Sequence, residues 1–206
     1  MNRNNRALIF TGGSLPDLSD FPLFDTDFIL AADSGYDVCE ALGIRPQLLI
    51  GDLDSIRAKS LPDSLPRKIA PTHKDLTDTM LACEYCIEQG YSRLVIFGGL
   101  GGREDHSLSN IFFLENLKDR GVDACLRDDR NVIRVLKDET VILPRDGMRY
   151  FSLFALDSCT VTLSGCEYPL ADYPLSRTNP FAVSNEITEE SAGITVNGKV
   201  ILAQSR

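Results

Sequence analysis

The stretch Gly51-Asp52-Leu53-Asp54-Ser55 follows directly on the apolar run Leu48-Leu49-Ile50. A short apolar run bounded by turn residues reads as a buried strand, here ending in two carboxylates. Residues two apart on a strand project to the same side, which aims Asp52 and Asp54 at one spot. Carboxylates sharing a spot repel unless a cation lies between them, and Mg2+ is usually held by one or two carboxylates plus substrate phosphates. Alone, an Asp-x-Asp after a strand is a polar turn. Here the pattern repeats. Asp33 closes the apolar run 28–32, Asp75 and Asp78 stand near a helix start, and Asp105 stands at another. In an open α/β sheet such positions converge on the edge where ligands bind.

The basic groups near these acids are Lys74, Arg103 and His106, each beside an expected helix start. Helix N-termini and glycine-rich turns such as Gly12-Gly13 and Gly98-Gly99-Leu100-Gly101-Gly102 offer backbone N–H groups to phosphate. Acids for a metal, with glycines and bases for phosphate, suit phosphoryl or pyrophosphoryl transfer, a chemistry of positioning and charge neutralisation. Single residues have plainer readings. Asp75 reads as a cap, whereas Asp78 falls one turn into its expected helix, where capping is less useful. A lone His106 at a helix start is ambiguous between packing and catalysis. The glycine loop is neither a P-loop nor a dinucleotide fingerprint.

The elements that carry these residues alternate. Strands are expected at 7–10, 28–32, 48–50, 94–97 and 122–126, and helices at 36–42, from Thr72 or Asp75 to about 89, and at 106–117. This is an α/β pattern with a largely parallel, Rossmann-like sheet. From about residue 131 the texture changes to strand-like runs separated by turns, and Asn197-Gly198 gives a strong hairpin signal. The expectation is an α/β domain over 1–138, followed by an all-β sandwich over 139–206.

The bulk composition excludes some partners. With 21 basic against 30 acidic residues the formal charge is −9, which argues against nucleic acid. No stretch is long enough to span a membrane, and the polar start predicts no signal peptide. The scattered cysteines then read as free thiols of a cytoplasmic protein. Cys83-Glu84-Tyr85-Cys86 lies inside an expected helix without a second pair, and reads as helix packing.

Taken in order, these motifs resemble the thiamine pyrophosphokinase family, whose members transfer pyrophosphate from ATP to thiamine and release AMP. The resemblance rests on Ala32-Asp33-Ser34-Gly35, Gly51-Asp52-Leu53-Asp54-Ser55, Lys74-Asp75-Leu76-Thr77-Asp78, Gly98-Gly99, Gly102-Arg103-Glu104-Asp105-His106 with Asn110, and Val183-Ser184-Asn185-Glu186. It implies Asp52, Asp54 and Asp78 around Mg2+, with Arg103 completing the catalytic set. It implies Asp33, Lys74, Arg103 and Asp105, with His106, near ATP as co-substrate. Ser184 and Asn185 would stand at the thiamine pocket. Tyr168 matches an aromatic-containing stretch of the family, and equally reads as a strand-edge aromatic. The resemblance also implies a homodimer with active sites between subunits. Ser34 departs from the pattern, where the family often has a second glycine, and no tryptophan exists for thiamine to stack on. Two other readings compete. A nucleotide-sugar glycosyltransferase would release a nucleoside diphosphate, and a ligand-sensing nucleotide module would bind without turnover.

Overall fold

The segment Arg6–Phe10 is buried at every residue and forms β1, as expected for a strand covered on both faces of a parallel sheet. The structure, a computed structural model, describes residues 5–58, 60–69 and 76–206. It divides into two units, Met1–Asp129 and Arg130–Arg206.

In the first unit β1 is flanked by β2 (Phe28–Ala32) on one side and β5 (Arg93–Phe97) on the other. Beyond β2 lie β3 (Leu48–Gly51) and β4 (Arg67–Ile69), and beyond β5 lies β6 (Asp123–Arg127), every pairing being parallel. The helices are α1 (Gly35–Ala41), α2 (Asp78–Glu88) and α3 (Glu104–Asp119). The chain runs outward from β1 to β4 and then returns to the other side of β1 at β5. The loops after β1 and β5 therefore part in opposite directions, at the kind of switch point where α/β sheets bind ligands. Phe10 and Phe97 stack at 5.0 Å beneath that point. The loop after β1 is tied down by a buried pair, Arg6 to Asp27 at 2.5 Å, with the guanidinium over the rings of Phe21 and Phe24.

Two helix starts differ from expectation. Helix α2 begins at Asp78, because the Thr77 side chain accepts the Met80 N–H and caps it. Asp78 is thus the first helical residue, not one turn in, and Thr72 and Asp75 lie outside the described residues. Helix α3 starts at Glu104, earlier than the expected 106. No described helix is long and apolar enough to cross a membrane.

The second unit is antiparallel: β7 (Asn131–Pro144), β8 (Tyr150–Ala155), β9 (Cys159–Ser164), β10 (Leu170–Leu175), β11 (Asn185–Glu186) and β12 (Ser191–Ser205). The division falls earlier than residue 138 because β7 begins at Asn131 and pairs with β12 as far as Ser205. The expected hairpin at Asn197-Gly198 is absent. These residues sit inside β12, as a bulge opposite Asp138, with Val196 paired to Glu139 and Lys199 to Lys137. The Asp138 carboxylate accepts the Gly198 N–H at 2.7 Å, which satisfies the bulged backbone. A bulge bends its strand, and β12 changes partner there, from β9 before it to β8 after it. One core results, with Phe151, Leu153, Val161, Ile187, Ile194 and Leu202 among its buried side chains.

Candidate active site

Three carboxylates meet at the ends of β2 and β3. Asp33 follows β2 in a left-handed conformation, φ 50°, and donates its N–H to the Ile50 carbonyl at 2.7 Å. Gly51 makes the approach possible: a Cβ there would lie 3.1 Å from the Asp33 Cβ, and its φ of 148° disfavours other residues. Asp52 and Asp54 converge for a different reason than strand pleating. Leu53 turns left-handed at φ 66°, and Asp52 Oδ1 accepts the Asp54 N–H at 3.3 Å. The result is that Asp33, Asp52 and Asp54 each offer an oxygen, all within 4.8 Å of one another. Positive φ at non-glycine residues is uncommon and strained, and two such residues shape this cluster.

The cluster's electrostatics call for a cation. Asp33 Oδ1 is buried without a hydrogen-bond partner among the described residues, while its Oδ2 accepts the Ser55 hydroxyl. Asp52, through hydrogen bonding and then charge, pushes the Asp54 carboxyl above the usual carboxylate range; Asp33 and Asp78 add to this. An orphaned buried oxygen beside two further carboxylates is costly. An all-oxygen donor set of this kind fits a hard divalent cation. Asp78 is not within the three-acid group, but it lines the same cavity as Asp33 and Asp52.

That cavity, about 560 Å³, lies at the switch point. Its walls include Gly12 and Gly13 after β1, Gly98 and Gly99 after β5, Thr77 at the cap of α2, and Arg103 and His106 at the start of α3. Gly98 has φ 79°, and a Cβ there would lie 2.6 Å from the Thr11 carbonyl oxygen, so only glycine lets the two loops touch. Asn110, buried on α3, donates to the Gly99 carbonyl at 2.9 Å and fixes the loop. Arg103 and Asp105 are brought together with each other, in a two-pronged ion pair at 3.1 and 2.6 Å. The pair raises the Arg103 guanidinium and holds the Asp105 carboxyl below its ordinary value. Lys74 lies outside the described residues. Ser34 has a right-handed φ of −60°, so its replacement of a family glycine strains nothing. The Gly12-Gly13 turn was a weak signal in sequence, because any tight turn could use it.

The second unit carries a pocket of another kind, about 500 Å³, lined by Tyr168, Pro169, Leu170, Phe181, Val183 and Asn185 among others. Tyr168, Phe181 and Val183 are 64%, 57% and 42% exposed, although apolar or aromatic. Phe181, which sequence reasoning missed, stacks on Tyr173 at 5.0 Å. Ser184 is exposed with φ 57°, and its N–H donates to the Ser152 hydroxyl. The pocket lining passes from Val183 to Asn185 without it. Asn185 is 3% exposed.

Comparison with known proteins covers both units. The family model described as the thiamin pyrophosphokinase catalytic domain matches residues 23–126, and that of the vitamin B1 binding domain matches 133–201. A thiamine pyrophosphokinase of Bacillus subtilis is 30% identical over 180 residues, 84% of each chain. The crystal structure of the Bacillus subtilis enzyme superposes with a TM-score of 0.87 at 28% identity, covering 97% of this chain and 98% of that one. That of the Geobacillus thermodenitrificans thiamin pyrophosphokinase gives 0.86 at 29% identity, covering 98% and 97%. With both halves matched in order, and with the acids, glycines and apolar pocket in place, the chain belongs to the thiamine pyrophosphokinase family.

Proposed function

We propose that the cavity of the first unit carries out pyrophosphate transfer from ATP to thiamine, and that the apolar pocket of the second unit receives thiamine. The observation that carries this reading is the three-acid cluster with its orphaned Asp33 oxygen, at the rim of a glycine-walled cavity. Asp33, Asp52 and Asp54, with Asp78 beside them, would hold Mg2+, which when bound supplies neutralisation of the ATP phosphate charge. Gly12, Gly13, Gly98 and Gly99 let backbone approach the phosphates closely. Arg103 brings a charge that stays positive at any working pH to the same wall. Lys74, Asp105 and His106 complete the ATP side, as the family resemblance implies.

The thiamine hydroxyl oxygen forms a bond to the β-phosphorus of ATP. The bond from that phosphorus to the oxygen bridging toward the α-phosphorus breaks, and AMP leaves with the electron pair. The hydroxyl proton passes to a base in the cavity. The protein's part is to hold the partners in line and to place positive charge where negative charge develops. On the acceptor side Tyr168, Phe181 and Val183 supply flat and apolar surface to the thiamine rings, with Ser184 at the edge. The strand order, reversing between β1 and β5, supports reading the first unit as a doubly wound, Rossmann-like sheet. The exposed apolar residues on each unit suit burial by a second copy. The six cysteines form no disulfide, which suits a reducing, cytoplasmic compartment.

The test is AMP release from ATP and Mg2+ with and without thiamine, with the product weighed by mass spectrometry. Thiamine-dependent AMP and a product heavier by one pyrophosphate are expected. AMP formation indifferent to thiamine, or a nucleoside diphosphate as product, contradicts the reading.

A further inference from the structure

We infer that Asn185 is a positioning residue, which sets the thiamine pocket by clamping the backbone of Tyr168 and offers thiamine no hydrogen bond of its own. This rests on the reading that the second unit's pocket receives thiamine. The primary amide of an asparagine offers two donor hydrogens and two acceptor lone pairs. In Asn185 all four are engaged within the chain. Oδ1 accepts the N–H of Tyr168 at 3.0 Å and the N–H of Glu186 at 3.0 Å. Nδ2 donates to the Tyr168 carbonyl at 2.9 Å and to the Cys166 sulfur at 3.4 Å. The orientation of the amide follows from its partners, since a backbone N–H only donates and a carbonyl only accepts. Buried to 3% exposure, the side chain lines the pocket with no donor or acceptor left to offer a ligand.

The clamp has a particular effect. Glu167 donates its N–H to the Glu186 carbonyl, but Tyr168 lies between β9 and β10 with no strand partner among the described residues. Asn185 supplies one, pairing both the N–H and the C=O of Tyr168 as a neighbouring strand would. An ionised carboxylate of the same size could only accept, whereas the primary amide does both at once at neutral pH. Tyr168 is thereby held at the pocket wall with its ring exposed, facing the same pocket as Phe181 and Val183. An aromatic wall held in this way suits a flat cationic ring system, whose binding depends on how the aromatic face is presented. Ser184 precedes the clamp in a left-handed conformation, and this geometry points the exposed and the buried residue of the Ser-Asn pair in different directions.

Asn185→Asp tests the role, because it keeps the size and the acceptors but loses the donor to Tyr168 whenever the new carboxyl is ionised. Loss of one buried hydrogen bond corresponds to a rise in KM for thiamine on the order of tenfold at pH 8. The KM for ATP and kcat should stay within about twofold. The excess over wild type should shrink as pH falls and the acid, protonated, donates again. An unchanged thiamine KM, or an equal loss in kcat and both KM values at every pH, overturns the proposal. In the unmodified protein, hydrogen exchange of the Asn185 side-chain amide should be slow before thiamine is added. Fast exchange that slows only on binding also overturns it. Phe181→Arg, in the pocket wall but outside the clamp, separates the two readings. If it leaves the thiamine KM unchanged, the pocket reading fails. If it raises that KM while Asn185→Asp does not, only the positioning role fails.

Discussion

The two pockets of this chain are built on opposite physical terms. The first gathers like charges: three carboxylates within 4.8 Å, one of them with an orphaned oxygen, on backbone bent left-handed at Asp33 and Leu53. The second gathers apolar surface, and its one buried polar side chain, Asn185, is fully satisfied. A site that stores electrostatic strain gains stability when charge compensation arrives, which suits a phosphate-bound cation. A satisfied apolar pocket gains little until a flat apolar ligand fills it. On the proposed reading the first governs the chemical step and the second governs which acceptor is used, and mutations should separate kcat from KM along that division.

The largest separation is expected at Asp33. Asp33→Asn should lower kcat on the order of a thousandfold, while raising the melting temperature in chelator by removing a like charge. A variant that loses activity and stability together would break the contrast. Arg103→Ala should cost about a hundredfold in kcat, read by AMP release, with the thiamine KM little changed. In the second unit, Phe181→Ser should raise the thiamine KM by about tenfold with kcat within twofold, measured by steady-state kinetics. Outside both pockets, Arg120 holds Glu84 in a two-pronged pair at 2.5 and 2.8 Å and lowers its carboxyl below the ordinary value. Its contribution is present above the ordinary carboxylate pKa and is lost as pH falls through the lowered one. Glu84→Gln should therefore destabilise by less than about 1 kcal/mol at neutral pH, the difference vanishing in acid and shrinking in salt, with activity unaffected. An effect of that variant on either KM would show coupling where the account places none.

The two pockets were also unequally legible in the sequence. The acids could be read because their signal is local: an apolar strand, then Asp52 and Asp54 within five residues. Even so, the reason they converge is the left-handed Leu53, which no pleat argument supplies. Asp33 was expected near ATP; the backbone bond from Asp33 to Ile50 sets it beside Asp52 and Asp54. The apolar pocket joins residues 167–170 to 181–185, and nothing in either stretch announces the other. Phe181 was missed for that reason. Asn185 was found through a motif, but the use of its amide depends on Tyr168, far away in sequence. The Asn197-Gly198 hairpin failed similarly: its residues suit a turn, and the carboxylate of Asp138 makes them a bulge.

The most direct test of the division is thiamine binding by calorimetry on Asp54→Asn, set beside its turnover under saturating ATP and Mg2+. The account predicts a folded protein with wild-type thiamine affinity and almost no AMP formed. Full turnover would contradict the role of the acids, and loss of thiamine binding would contradict the separation of chemistry from acceptor choice.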